Sequence, residues 1–228
     1  MLETLFNKLF SDVGVSDAIR VTIRMAFTST LLSSLLGILL GLALERFSFP
    51  GKRIVVRINR TLMGVPPVVV GLFVYMLTMR RGPLGSLNLL FTVKGMVLAQ
   101  TIIITPIICG MIYTYASGAA PAIRVFAKTM GAGQLQTQLL LLREMKHEIY
   151  FAVVTGFGRS ISEVGAVMLV GGNIKGHTRT MTTAISLLKS QGIFTEGMTL
   201  GLLLLAMAFI LQCLADFFRK ESGADENY

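Results

Sequence analysis

The chain has 228 residues, of which 53% are hydrophobic and only 14% charged. About a quarter of the residues in a soluble domain are charged, so this chain has too few charges to cover a water-facing surface. Its net charge of +9 does not indicate nucleic acid, because the basic residues lie between apolar runs and no Lys/Arg cluster alternates with aromatics.

Residues 1–20 contain no apolar stretch long enough for a signal-peptide core and no small-residue cleavage site. Leu2, Leu5, Phe6, Leu9 and Phe10 fall at helical spacing, which reads either as a short amphipathic helix lying at the membrane interface or as a frayed terminus.

Crossing a bilayer takes about 20 apolar residues in a helix, because nothing in hydrocarbon satisfies the backbone except the helix itself. Five segments meet this condition. The first, Val21–Leu44, has one charge, Arg24, and repeats small residues at Ser33, Gly37 and Gly41, a face that lets another helix approach closely. The second, Thr61–Met79, has Pro66 and Pro67 in its first turns. The third, Gly95–Tyr115, has Pro106 midway. The fourth, Ile149–Val170, carries Arg159 and Glu163, and the fifth is Met198–Phe218. Cys109 and Cys213 lie within apolar runs and read as small buried hydrophobes. His147 and His177 stand alone, so no metal-ligand spacing exists.

Orientation follows from Lys and Arg in the connections. Arg46, Lys52, Arg53, Arg57 and Arg60 follow the first span; Arg124, Lys128, Arg143 and Lys146 follow the third; Arg219 and Lys220 close the tail. Those eleven outweigh the eight on the opposite side. The N-terminus is therefore expected outside and the C-terminus in the cytoplasm. The domain expectation is an interfacial segment at 1–20, a transmembrane domain at 21–218 and a disordered cytoplasmic tail at 219–228.

No G-x-x-x-x-G-K-[ST] loop, G-x-S-x-G elbow or paired His occurs, so neither ATP hydrolysis nor acyl transfer in this chain is supported. No internal repeat of the kind an ion-coupled secondary transporter shows is evident. The longest cytoplasmic segment is 116–148. Its middle, Ala122–Leu142, reads as helix broken at Gly131-Ala132-Gly133, either a dock for a soluble partner or a surface helix without one.

Within it, Val125-Phe126-Ala127-Lys128-Thr129-Met130-Gly131-Ala132-Gly133-Gln134-Leu135-Gln136 resembles the coupling loop of ABC importer permeases, E-A-A-x-x-x-G. Ala127 stands at the second Ala and Gly131 at the Gly, with Val125 where that family has Glu and Phe126 where it has the first Ala. The resemblance implies that Val125, Phe126, Ala127, Lys128, Thr129, Gly131, Ala132 and Gln136 couple the chain to an ATPase. A second stretch, S-E-V-G-A-V-M-L-V-G-G-N-I-K-G-H-T-R-T from Ser162 to Thr180, resembles the molybdate, tungstate and sulfate permeases, most of all the tungstate ones. That resemblance implies an all-α type I ABC importer permease with five transmembrane helices and a cytoplasmic coupling helix, in the plasma membrane of a prokaryote. Its implied partners are a second copy of the chain, ABC ATPase subunits that use ATP and Mg, an extracytoplasmic oxyanion-binding protein and membrane lipid. No cofactor or metal is expected in this chain, and molybdate and sulfate are the alternative substrates.

Two sets of polar residues stand out apart from the resemblance. Arg159 and Glu163 are at i and i+4, so on a helix they share a face. They read as a pore or gate element, or as a buried pair that fixes packing; the pair is favoured, because a dianion path is poorly served by an unpaired Glu163. Asn173, Lys175, Thr178, Arg179 and Thr180, followed by Thr182 and Thr183, form an outer stretch rich in donors suited to an oxyanion. It reads as transport pathway, binding-protein contact or ordinary connection.

Overall fold

The computed structural model describes residues 14–221, with side chains to residue 213. The proposed N-terminal interfacial helix and most of the polar tail lie outside the described residues. Nine α-helices and one 3₁₀ turn, with no strand among the described residues, form the fold: α1 Val15–Arg46, α2 Lys52–Met63, α3 Pro67–Thr78, α4 Val93–Thr129, α5 Gln134–Glu144, α6 Lys146–Ser162, α7 Gly165–Gly171, α8 Met181–Ser190 and α9 Phe194–Glu221. Three of these are long and apolar enough to cross a membrane, and five spans result if each of two bent pairs, α2–α3 and α6–α7, counts as one.

The core is the parallel pair α1 and α4. Contacts rise together along both helices: Ser33 Oγ donates to the Thr101 carbonyl at 3.4 Å, Gly37 faces Ile108, and Gly41 faces Cys109 and Ile112. A Cβ added at Gly37 or Gly41 would lie 2.8 or 2.9 Å from its neighbour. The small-residue face expected from the sequence is thus the seam of the bundle, and backbone proximity here supplies the van der Waals packing that holds helices together in lipid. α6 runs antiparallel across this pair. Its Ser160 hydroxyl bonds Ser29 at 2.8 Å, and Gly156 fits beneath Ile104. α3 lies against α7, where Gly71 meets the Ala166 backbone and Val74 packs with Ala99, Ile103 and Val170. At the far end α8 closes over the start of α1, with Met181, Ala184 and Leu188 buried among Val15, Ala18 and Leu200.

Several expected boundaries are corrected. Thr61–Met79 is not one straight helix: Pro66 and Pro67 mark a break at which α3 starts and α2 turns away by 102°. Proline is pre-organised for the first helical position and cannot continue a preceding turn. The connection after the first span contains the 12-residue α2. The third span does not stop at Tyr115 but continues as helix through Pro106 and Pro121 to Thr129. The fourth breaks after Ser162 with a 59° bend. Cys109 is buried as expected, but Cys213 is exposed. It lies on α9, whose spanning window is only 11% buried within the protomer, so an apolar run here marks a face turned outward from the bundle.

Candidate functional site

Three regions hold the residues singled out in the sequence. The first is the tip beyond α4. The helix ends at Thr129, and Gly131 takes a left-handed conformation at φ 69°. This lets Ala132 N–H return to the Ala127 carbonyl at 2.9 Å and Gly131 N–H to Lys128 at 3.1 Å, closing carbonyls that a helix C-terminus otherwise leaves open. α5 then restarts, with the Gln136 side chain accepting from Gly133 N–H at 2.8 Å. Ala127 is buried beneath the turn, while Val125, Phe126, Met130, Leu135 and Leu139 are exposed, Leu135 by 82%. Lys128, Thr129 and Gln136 are exposed between them and Ala132 is half-buried. An apolar tip rimmed by polar groups, carried on a helix beyond its spanning stretch, is a docking surface in composition. Two links fasten it to the end of α1: Arg124 to Glu45 at 2.7 Å and Arg46 to Gln134 at 2.9 Å.

The second region is the bend between α6 and α7. Glu163 is not on a helix face. Its backbone is extended, at φ −74° and ψ 132°. One carboxylate oxygen accepts from the N–H groups of Val164, Gly165 and Ala166 at 3.1, 3.0 and 3.5 Å, which caps α7 in the manner a helix start favours. The other oxygen stands 3.6 Å from Arg159 Nη2. The Glu163 carbonyl accepts from the Thr182 hydroxyl at 3.0 Å. The pair exists, then, but through the bend and not through a shared helical face. Glu163 is buried, while the Arg159 side chain is 40% exposed and its Nε is buried without a hydrogen-bond partner.

The third region is the 172–180 loop, at the opposite end of α4. It is tied to the start of that helix by Phe91 N–H donating to the Val170 carbonyl at 2.9 Å. Gly172, Asn173 and Gly176 all have positive φ. Arg179 Nε donates to Asn173 Oδ1 at 3.2 Å. The Thr178 hydroxyl bonds the Gly171 carbonyl and accepts from Ile174 N–H at 3.1 Å. Thr180 caps α8 reciprocally with Thr183. Thr178 and Thr180 are buried, so their hydroxyls shape the loop. Lys175 is exposed, and Asn173 and Arg179 are half-buried. Arg159 and Glu163 therefore form one group with Thr182, Asn173 forms another with Arg179, and the tip is remote from both.

The basic α2 was missed as an element. Its signal was present: Arg53, Arg57 and Arg60 fall on one stripe and Ile54, Ile58 and Leu62 on the next.

The chain is similar to known proteins along most of its length. Residues 33–221 match the family model described as binding-protein-dependent transport system inner membrane component. A tungstate uptake system permease protein of Peptoclostridium acidaminophilum is 44% identical over 174 residues, 76% of each chain. One from Campylobacter jejuni is 37% identical, covering 96% of this chain and 91% of that one. The molybdenum transport system permease protein of Escherichia coli is more distant, 27% identical over 78% of this chain and 82% of that one. In fold, the chain resembles a crystal structure of a bacterial ABC transporter involved in the import of the acidic polysaccharide alginate, with TM-score 0.75 at 19% identity over 96% of this chain and 83% of that one. With its bundle of apolar helices, some of them bent, and a family match running from within α1 to the end of α9, this multi-pass membrane protein belongs to the inner membrane components of binding-protein-dependent transport systems, the translocating subunits of ABC importers.

Proposed function

We propose that the chain is the permease of an importer for a tetrahedral oxyanion, with tungstate the foremost substrate and molybdate and sulfate the alternatives. It works as a homodimer, with the N-terminus outside and the C-terminus in the cytoplasm. The observation that carries this reading is the apolar tip around Gly131, fixed to α1 and α4 and separated from the 172–180 loop by the length of α4. The substrate is inferred from the tungstate relatives at 44% and 37% identity.

In this reading, Val125, Phe126, Ala127, Lys128, Thr129, Gly131, Ala132 and Gln136 form the coupling surface for the ATPase, which binds ATP and Mg. Asn173, Lys175 and Arg179 meet the binding protein or the arriving anion, with Thr178 and Thr180 holding their loop. Arg159 and Glu163 set the bend of the fourth span. ATP-driven closure of the ATPase pair moves the tips, and the bundle alternates between outward and inward openings.

Proteoliposomes containing the chain, its ATPase and its binding protein test the proposal. ATP-dependent uptake is expected for tungstate ahead of molybdate and sulfate. No ATP-dependent accumulation of any of the three would reject the oxyanion reading, and failure of an ATPase to co-purify would reject the permease role itself.

A further inference from the structure

The bent pair α2–α3 makes one crossing. α3 has 12 residues, about 18 Å of helix, against roughly 30 Å of hydrocarbon, so it completes a span only together with α2. α2 therefore lies at membrane depth, and its contacts agree. The Asn59 amide donates to the Pro106 carbonyl at 3.1 Å, Met63 fills the space over Gly110, and the Lys52 ammonium stands 5.8 Å from the centre of the Tyr113 ring. Pro106, Gly110 and Tyr113 all belong to the apolar stretch of α4.

Arginines at this depth face water, a partner or an anion, because hydrocarbon does not solvate them. At 100° per residue, Val56, Asn59 and Met63 form the face against α4. Arg53, Arg57 and Arg60 form the adjoining stripe, and Ile54, Ile58 and Leu62 the one beyond, all six exposed. None of the three arginines forms an ion pair among the described residues. Nor is a counter-charge close in sequence, since residues 46–143 contain no Asp or Glu. The carboxylate inside the fourth span, Glu163, is taken by Arg159 and the start of α7, and a second copy would face the same shortage. The basic stripe opens instead into a groove of about 710 Å³. Arg60 also lines a second cavity of about 260 Å³ that reaches Asn59, Gly110 and Thr114, so the polar lining continues from α2 onto α4.

We propose that Arg53, Arg57 and Arg60 line the path of the transported oxyanion through the cytoplasmic half of the membrane, with Ile54, Ile58 and Leu62 screening it from lipid. This assignment rests on the oxyanion reading above. A guanidinium donates two parallel hydrogen bonds to an oxyanion, and basic side chains line anion pores. Three of them over about 10 Å of helix give successive stations, which suit conduction better than one tight site.

Tungstate uptake by proteoliposomes of the chain with its ATPase and binding protein tests the proposal. Arg57→Gln should lower the initial rate about tenfold, the scale of one lost hydrogen bond to a charged group. The triple change of Arg53, Arg57 and Arg60 to Gln should abolish uptake, and the triple change to Lys should retain most of it, with the ATPase co-purifying equally in all. In a chain without Cys109 and Cys213, Arg57→Cys should react in detergent with both a cationic and an anionic methanethiosulfonate. After reconstitution the cationic adduct should restore uptake and the anionic adduct should block it. Unchanged uptake in the triple Gln variant, equal uptake by the two adducts, or a thiol at 57 that reacts with neither reagent would overturn the pathway role and leave the oxyanion reading standing. Absence of tungstate, molybdate and sulfate uptake by the unaltered complex would reject both.

Discussion

Arg159 and Glu163 face each other across a bend: the Arg159 guanidinium stands 3.6 Å from one Glu163 oxygen while the other oxygen accepts three backbone N–H groups at the start of α7. The carboxylate thus does two jobs and the arginine one. Glu163→Ala takes the acceptor from the backbone N–H groups at the start of α7 and is expected to destabilise the protein by about 1–3 kcal/mol, the range for leaving a buried donor unsatisfied. Arg159→Gln should cost about 1 kcal/mol or less, because the side chain is partly exposed and Glu163 keeps its backbone donors. Thermal unfolding of both single variants and the double in detergent checks the order and yields the coupling. Equal losses in the two single variants would contradict the capping role.

Gly131 is needed for its left-handed backbone, not for space. Nothing lies within 4 Å of where its Cβ would be. Gly131→Asn should therefore be tolerated, since Asn visits that region, whereas Gly131→Val should cost about 1–2 kcal/mol and misplace the tip. Co-purification of the ATPase and uptake should both fall for Val and persist for Asn. Equal loss in the two would mean that bulk, and hence close approach by a partner, is the constraint.

Leu135 and Phe126 are exposed at the tip, and neither supports the protomer core. Leu135→Asp and Phe126→Asp should change the unfolding free energy by no more than about 0.5 kcal/mol, as is usual for surface changes, yet release the ATPase. Retained association in a pull-down would remove the docking role of the tip.

A cysteine at Gln136, in a background without Cys109 and Cys213, should resist membrane-impermeant thiol reagents in intact cells and react after permeabilisation. Ready labelling in intact cells would invert the orientation.

Gly37 and Gly41 hold α1 against α4. Gly37→Val inserts atoms where a Cβ alone would already lie 2.8 Å from Ile108. A loss of about 1–3 kcal/mol is expected from such overpacking, read as a lower melting temperature, with Gly201→Val on α9, where no atom lies within 4 Å, as the neutral control.

What could be read from the sequence divides along physical lines. The spans at α1 and α4, their seam at Ser33, Gly37 and Gly41, and the break at Gly131-Ala132-Gly133 follow from composition and backbone chemistry, which are local. The break at Glu163 does not, because the apolar run continues across it. Contacts distant in sequence accompany it: Thr182 on the Glu163 carbonyl and Gly71 against Ala166. α2 was hidden for another reason. Its arginines served to assign orientation, and that reading took no account of the apolar residues between them. In the 172–180 loop the sequence offers Thr178 and Thr180 as donors, but their hydroxyls bond within the chain itself, which only coordinates reveal.

α4 runs unbroken for 37 residues, about 55 Å at 1.5 Å per residue. One end carries the tip, and the other abuts the 172–180 loop. Mechanically it is a rod with α1 clamped alongside, continuous through Pro106 and Pro121, each of which removes one backbone hydrogen bond. Under the proposed coupling role, a displacement at Thr129 reaches Thr92 as a tilt or shift of that rod, with the two prolines as its softer points. The bent pairs, at Gly64–Pro66 and Glu163–Val164, are the other places where the bundle changes direction.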